Sequence, residues 1–554
     1  MFANARHEAQ RCVRSAQFAD KFDVTLSPRF LPSKYSIAAI ASEALPIGLP
    51  EDLQKKHEII LLINTCLSQN ERLSRKPAAA LHFDDARVDD GIDELSAIRS
   101  IMLSVSKIIR PNGNLFISDQ LTDAQKQTAL GRIRHIGELG LSSLLCLHSL
   151  FPEDHEKKLD EHIIFSLLAF SSISDPWTTQ TSLDLANGLL SVCRVEILGQ
   201  EFITKSVLSS FIRPLFSASK PKAITTSGYA AIPSYTPREP QDFSAWDLAS
   251  KPWRLDTCYA LSVLSWVVNH ASVSIPPNHT DMPPILILLD SPNTEMQLKG
   301  LKLHNTFVPR LTPKLLEQTG LGAVIEDAIH PIMLYLPPIT PKNECLSLLP
   351  VAFESFFILL EVRFPSSTIS DISNQDQAKQ KQKLTSLTRL LRQAIAPAYN
   401  HTSISSESDP IIKKIILDQI PPLVRALGIH SVVHLQTLIK LTEEPLLDPF
   451  ATASLPTMLA ALKALREIIL CAWPRLSEER RRREVIRMMV SAWRKVCNES
   501  NNSTEALRKE VLGELKISGR LFVKAVETSN EIDLSCDLNS LVEVDKSLKE
   551  LFGT

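Results

Sequence analysis

The sequence predicts an all-α fold, an α-solenoid of divergent HEAT-like helical repeats. Three observations carry this expectation. Apolar residues recur at helical spacing along nearly the whole chain, and two-residue alternation is nearly absent. Glycine is scarce, 16 in 554 residues, whereas hairpins and phosphate-cradling loops consume glycine because they need positive φ. Proline is plentiful at 35, and much of it falls between apolar segments, where it ends one helix and fixes the approach to the next.

Taken in order, helical segments are expected over 51–67, 92–110, 121–150, 156–171, 178–197, 199–216, 253–271, 294–308, 320–336, 342–361, 382–397, 410–427, 430–441, 455–473, 477–498, 503–528 and 538–552. Four polar stretches read as linkers or long loops: 68–91, 217–245, 365–381 and 399–409. The Pro- and Ser-rich stretch divides the chain into an N-terminal helical repeat region (1–216), a linker (217–250) and a C-terminal HEAT-like region (251–554).

Helix starts carry their own grammar. After the apolar segment Ile285 to Leu289, Asp290-Ser291-Pro292-Asn293 forms a turn, and Thr294 with Gln297 reads as a capping box. Leu298, Leu301 and Val308 make one apolar stripe of the following helix, and Leu303 and Phe307 another. A helix apolar on two sides packs between neighbours, as in a stacked array. Thr340-Pro341, Thr312-Pro313 and Asp409-Pro410 each place a capping side chain before a proline suited to the first helical position. HEAT repeats run about 40–47 residues, but no single fixed period overlays these units.

Composition narrows function. Lys and Arg total 60 against 62 for Asp and Glu, a net charge of -2, so no general attraction to nucleic acid or anionic lipid is expected. Nine cysteines fall in no metal-knuckle spacing and read as reduced core residues of an intracellular protein. The N-terminus lacks the apolar run of a secretory signal. No apolar run approaches the ~20 residues that span a bilayer.

Signatures of chemistry are absent: no G-x-G-x-x-G, no P-loop, no kinase set, no nucleophile elbow and no H-E-x-x-H. The expectation is a protein that is not an enzyme, with no catalytic residue, no cofactor and no metal. A hydrolase built from scattered residues would need a deep pocket with convergent polar groups. His430 and His434 stand i, i+4, but no further ligand accompanies them, and they read as half-buried helix histidines. Glu326 and Asp327 precede His330, yet adjacent helix residues point about 100° apart and are poorly placed to share a substrate. Arg480 to Arg483 form a basic run flanked by Glu478, Glu479 and Glu484. It is either a solvated face with pairs such as Glu479 to Arg483 or a patch for an acidic partner or nucleic acid. Lys251-Pro252-Trp253-Arg254 opens the helix carrying Trp266, and Trp with Arg serves equally as interface anchor or core plug.

An ordered set of segments carries a resemblance. Lys251-Pro252-Trp253-Arg254 leads to Tyr259-Ala260-Leu261-Ser262-Val263-Leu264-Ser265-Trp266. Pro283-Pro284-Ile285-Leu286-Ile287-Leu288-Leu289-Asp290 and Leu298-Lys299-Gly300-Leu301-Lys302-Leu303 follow. Thr319-Gly320-Leu321-Gly322-Ala323-Val324-Ile325-Glu326-Asp327-Ala328-Ile329-His330-Pro331 and Leu334-Tyr335-Leu336-Pro337 complete it. The set resembles the Tel-two-interacting protein two family, and within it a fungal member. It covers about 250–362 strongly and the rest only in helical character.

The resemblance implies a HEAT-like α-solenoid within the trimeric TTT co-chaperone assembly. The implied partners are the Tel-two protein and Tel-two-interacting protein one. Through them the chain would serve the ninety-kilodalton heat-shock chaperone, its AAA+ adaptor and phosphatidylinositol-kinase-related protein kinase clients. The implied setting is cytoplasmic and nuclear, with no membrane and no nucleic acid. The family offers no catalytic residues to carry over. Lys251, Pro252, Trp253, Arg254, Trp266, Leu321, Glu326, Asp327, Pro331 and Tyr335 are the expected partner-contact or family-motif positions. The alternative is a HEAT-repeat adaptor or transport receptor of another complex.

Overall fold

Short polar side chains decide where helices start. The computed structural model describes residues 1–15, 24–45, 50, 52–74, 89–113, 122–151, 159–217, 253–254, 257–270, 282–365, 374–404, 409–498, 505–528 and 534–553. Asp52, Asp160, Asn293, Thr312 and Asp409 each accept a backbone N–H of the turn they precede. Thr122 and Thr179 close reciprocal capping boxes with Gln125 and Ser182. Each cap satisfies a donor the helix leaves over and contributes about 1 kcal/mol. Thr312-Pro313 and Asp409-Pro410 start helices as expected. Two starts differ. Asn293 caps its helix in place of Thr294, because Asn is at least as good a cap and lies one residue earlier. Thr294 instead donates to Glu344 at 2.6 Å. At the other, Pro341 stands before the helix, and the Thr340 carbonyl accepts from the Cys345 thiol.

Two compact units form, the described residues up to 284 making the first and those from 285 the second. The first holds α1 (Ala3–Ser15), α2 (Leu53–Ser68), α3 (Asp89–Ile108), α4 (Asp123–Ser149), α5 (Glu161–Leu168), α6 (Gln180–Val192), a wider π-helical segment Phe202–Ile212 and α7 (Ala260–His270). Here α2 packs on α1 and α4, α3 on α4 and α5, and α7 on α5 and Phe202–Ile212. Residues 257–270 thus belong with the first unit, and the boundary lies later than the 217–250 stretch, of which 218–250 falls outside the described residues. No strand occurs among the described residues beyond an isolated bridge between Tyr35 and Leu73.

The boundary crosses α8 (Met282–Leu289). The second unit continues with α9 (Thr294–Phe307), α10 (Pro313–Thr319), α11 (Leu321–Ile329), α12 (Lys342–Arg363), α13 (Asn374–Arg389), α14 (Ala396–Ile404), α15 (Pro410–Leu417), α16 (Ile420–Leu427), α17 (Leu435–Leu447), α18 (Leu455–Leu476), α19 (Glu479–Asn498), α20 (Glu505–Glu527), α21 (Leu534–Val544) and α22 (Leu548–Phe552). α18 is the most enclosed, packing on α15, α16, α17 and α20, with Met458, Leu462, Leu465 and Ile469 buried. Each such side chain contributes about 1.5–3 kcal/mol through its burial.

Side-chain bonds reveal the period that the sequence hides. Thr294 to Glu344 and Ser355 to Asn305 both join α9 to α12 across 50 residues. A separation that stays constant along two helices means that they run in the same direction. Lys463 to Glu510 and Arg466 to Glu514 join α18 to α20 across 47 and 48 residues. Arg487 to Glu443 and Lys495 to the Asp448 carbonyl join α17 to α19 across 44 and 47. Thr457 to the Pro410 carbonyl spans 47, and Arg425 to Glu467 spans 42. These are one-repeat steps between like helices, close to the length of HEAT repeats. In the first unit α2 and α4 also run alike, bonded across 75 to 79 residues.

Three sequence expectations are corrected. α13 begins at Asn374, inside the expected 365–381 linker, because Gln, Lys and Ala are good helix formers even without an apolar face. Helix likewise continues through Ile404 into the expected 399–409 loop. α12 is, among the described residues, one helix long and apolar enough to cross a membrane by length and composition, against the expectation of none. Half of its apolar window is buried, and it packs on α9, α11 and α15. A helix apolar nearly all round is what the middle of a stack requires.

Of the cysteines, Cys66, Cys193 and Cys345 are buried and Cys12, Cys146, Cys258, Cys471 and Cys497 half-buried, all as free thiols. Burial pushes the Cys66 thiol up to about 12 and that of Cys345 up to about 11, so both stay protonated.

Several histidines are buried uncharged. His57 Nε2 and His135 Nδ1 lie 2.8 Å apart between α2 and α4. Burial, then the neighbouring His135, pushes His57 down to about 3. His304 is wholly buried, with Nδ1 3.1 Å from Asn305 Oδ1, and burial pushes it down to about 4. In the unfolded chain each takes a proton near pH 6.5; in the fold each resists until far lower. The unfolded state therefore binds more protons between those values, and stability falls as pH drops from about 6.5 toward 4. Urea midpoints measured across that window should decline. In His304→Leu the slope should be shallower by about 1.4 kcal/mol per pH unit, one proton's worth.

Candidate functional site

The family-motif segment is built around α11. Gly320 has φ 69° and lies between α10 and α11, a left-handed turn that a Cβ would strain. Beyond it, Gly322 and Glu326 stand i, i+4 on one face of α11, and His330 follows one turn later. A Cβ on Gly322 would lie 2.6 Å from Arg363 Nε. The missing side chain is what lets Arg363, the last residue of α12, lie across α11 and reach Glu326.

Glu326 is 5% exposed. Its Oε2 accepts from Arg363 Nη1 at 2.6 Å and from Ser386 Oγ, on α13, at 2.9 Å. Its Oε1 lies 3.6 Å from Arg389 Nη1, which also donates to Asp327 Oδ1 at 2.5 Å. His330 Nε2 lies 4.0 Å from Oε1, and its ring stands edge-on to Phe356, centroids 5.7 Å apart. Burial, and next Arg389, lower the His330 pKa, so the imidazole is neutral. Two carboxylates thus meet two guanidiniums, and the cluster joins α11, α12 and α13. Glu326 and Asp327 share a cation instead of a substrate. With both Glu326 oxygens held by cations, its carboxylate acts as a clamp between helices. Arg363, Ser386 and Arg389 were not foreseen from the sequence, because they lie 37, 60 and 62 residues from their carboxylate partners.

The other motif residues are dispersed. Trp253 is 1% exposed and stacks on Phe216, centroids 5.1 Å apart, so it serves as a core plug. Trp266 is buried and stacks on His270. Leu321 is buried in α11. The Tyr335 hydroxyl accepts from Gln297 Nε2 at 3.1 Å. Arg254 and Tyr335 are half-buried, and Asp327 and Pro331 exposed. Lys251 and Pro252 lie outside the described residues.

His430 and His434 do not share a helix face. They sit in a tighter 3₁₀ segment, Gly428–His434, whose three-residue turn rotates i and i+4 apart. His430 is exposed, whereas His434 is buried and bonds Thr388. Among the described residues no group of three or more His, Cys, Asp or Glu could hold a metal ion.

The arginine run follows the helix geometry of α19. Arg483 pairs with Glu479 at 2.5 Å, and Arg480 and Arg481 both pair with Glu484. Arg482 turns inward and donates to the Ser477 carbonyl. The exposed pairs are worth little in stability. Further along α19, Arg483, Arg487, Arg494 and Lys495 line an open groove of about 670 Å³ together with residues of α21.

Like helices stacked in one direction, linked at one-repeat steps and carrying an internal ionic clamp, define a helical-repeat protein of the HEAT type. The model of the Tti2 family matches residues 163–453, more than half of the chain, and the chain belongs to that family. No curated protein matches it. Among solved structures, the crystal complex of SYS-1/POP-1 is similar over 91% of this chain and 90% of that one, at 10% identity and a TM-score of 0.30.

The clamp yields a stability prediction. Glu326→Ala leaves the Arg363 guanidinium facing an emptied buried site and should cost about 3 kcal/mol. Gly322→Ala should cost about 1–2 kcal/mol by displacing Arg363. The double variant should lose clearly less than the sum, since both break one contact. Full additivity in urea unfolding would show that Gly322 does not seat Arg363. Trp253→Ala should cost about 3–5 kcal/mol, measured the same way.

Proposed function

We propose that the chain is a non-catalytic scaffold subunit of the TTT co-chaperone complex. Its direct partners are the Tel-two protein and Tel-two-interacting protein one. Through them it supports the maturation and stability of phosphatidylinositol-kinase-related protein kinases, in cytoplasm and nucleus. The observation that carries this reading is the Tti2 family match over residues 163–453. The fold is compatible with it. Stacked helices offer edges and faces to partners, and the acid–base-like cluster at Glu326 is closed by its own arginines. Of the described family-motif positions, Arg254, Asp327, Pro331 and Tyr335 keep accessible surface, and the reading assigns partner contact to these.

Purification of the tagged full-length chain from its native cells should bring down both TTT partners in comparable amounts. Depletion of the chain should lower the steady-state level of the client kinases without lowering their mRNA. Recovery with transport cargo, or with another assembly and neither TTT partner, would overturn the reading in favour of a different HEAT adaptor.

A further inference from the structure

The outer face of α19 forms a surface that the proposed function leaves unassigned. Arg483, Arg487, Arg494 and Lys495 line its groove, Val490 and Leu541 supply apolar floor, and no acidic side chain is among the described lining residues. Each cation already has a partner: Glu479, Glu443 and Asp545 for the arginines, and the Leu446 and Asp448 carbonyls for Lys495, and Glu479 and Glu484 line an adjoining groove with Arg483 and Arg487. A guanidinium has five N–H donors, and one carboxylate engages at most two of them at once. Three arginines can therefore take a second acid while keeping the first.

Exposed apolar side chains flank, along the chain, the partners of the same cations. Phe450, 79% exposed, is two residues from Asp448, whose carbonyl holds Lys495. Val544, 83% exposed, is next to Asp545, the partner of Arg494. Arg483 and Arg494 are eleven residues apart on one helix, about 16 Å at 1.5 Å per residue. An extended peptide covers that distance with about five residues. Nucleic acid is the poorer fit, because among the described lining residues no aromatic ring is present to stack a base and Val490 and Leu541 make part of the floor apolar.

We propose that the α19 groove docks an acidic linear segment of a partner protein. Its carboxylates sit on Arg483, Arg487 and Arg494, and its apolar side chains on Val490, Leu541 and the neighbouring Phe450 and Val544. This does not depend on which complex the chain joins.

Fluorescence anisotropy on the full chain tests it with four probes: a labelled peptide of Glu and Asp with leucine at every third position, the same peptide with Leu replaced by Ser, its all-Lys counterpart, and a short DNA duplex. The acidic leucine peptide should bind tightest, with the serine version several-fold weaker. Arg487→Glu with Arg494→Glu should weaken the acidic peptide at least tenfold and gain binding to the Lys peptide, a gain that unfolding cannot produce. Should that variant fail to fold, Arg494→Gln with Val544→Ser, both at exposed positions, should weaken the acidic peptide at least threefold. Equal binding of acidic and Lys peptides, unchanged affinity in the folded variant, or a duplex bound as tightly as the peptide would each overturn the proposal.

Discussion

A helix apolar on two sides must be covered on both, and everything else in this chain follows from that constraint. α12 shows it most plainly. It is apolar enough to cross a membrane by composition, yet it is covered by α9, α11 and α15. α18 has the same character, enclosed by α15, α16, α17 and α20. Burial is not directional, so apolar contact alone would tolerate many arrangements of such rods. Selection among them falls to the polar bonds that join each helix to the like helix one repeat away.

The Glu326 cluster adds polar bonds of another kind, among α11, α12 and α13. A buried carboxylate is costly unless cations and hydrogen bonds surround it, and here two neighbouring helices, α12 and α13, contribute them to Glu326 on α11. The cost of dehydrating Glu326 is offset only when Arg363, Ser386 and Arg389 arrive together. Such a site adds little net stability, but it penalises every arrangement in which one partner is missing. The acid, the histidine and the two arginines therefore gather where three helices meet.

Much of the fold was legible in the sequence, and its limits have physical causes. Scarce glycine, proline between apolar segments, and the caps at Thr312 and Asp409 are local signals, and they locate most helices. The Glu479 to Arg483 pair follows from i, i+4 spacing alone. α1 escaped because the side it buries includes Ala5, Ala9 and Val13, too small to raise an apolar signal. The period escaped because single side-chain pairs carry it, at separations from 42 to 50 residues in the second unit, with loops of unequal length between. The motif around Glu326 was visible as a string, but its meaning lay in residues 37 to 62 positions away. Trp253 was evenly divided between anchor and plug, and its stacking on Phe216 shows that it plugs the core.

The ionic rungs between α18 and α20 act like the teeth of a ratchet. Lys463 meets Glu510 and Arg466 meets Glu514 at nearly one offset. Sliding one helix by a turn moves each tooth about 5.4 Å along the axis, past the reach of its mate. Greasy surfaces would permit that slip, whereas the paired charges make neighbouring repeats mesh in one gear. Bending the stack under load must then come from tilting about the rungs, because shear would strip them.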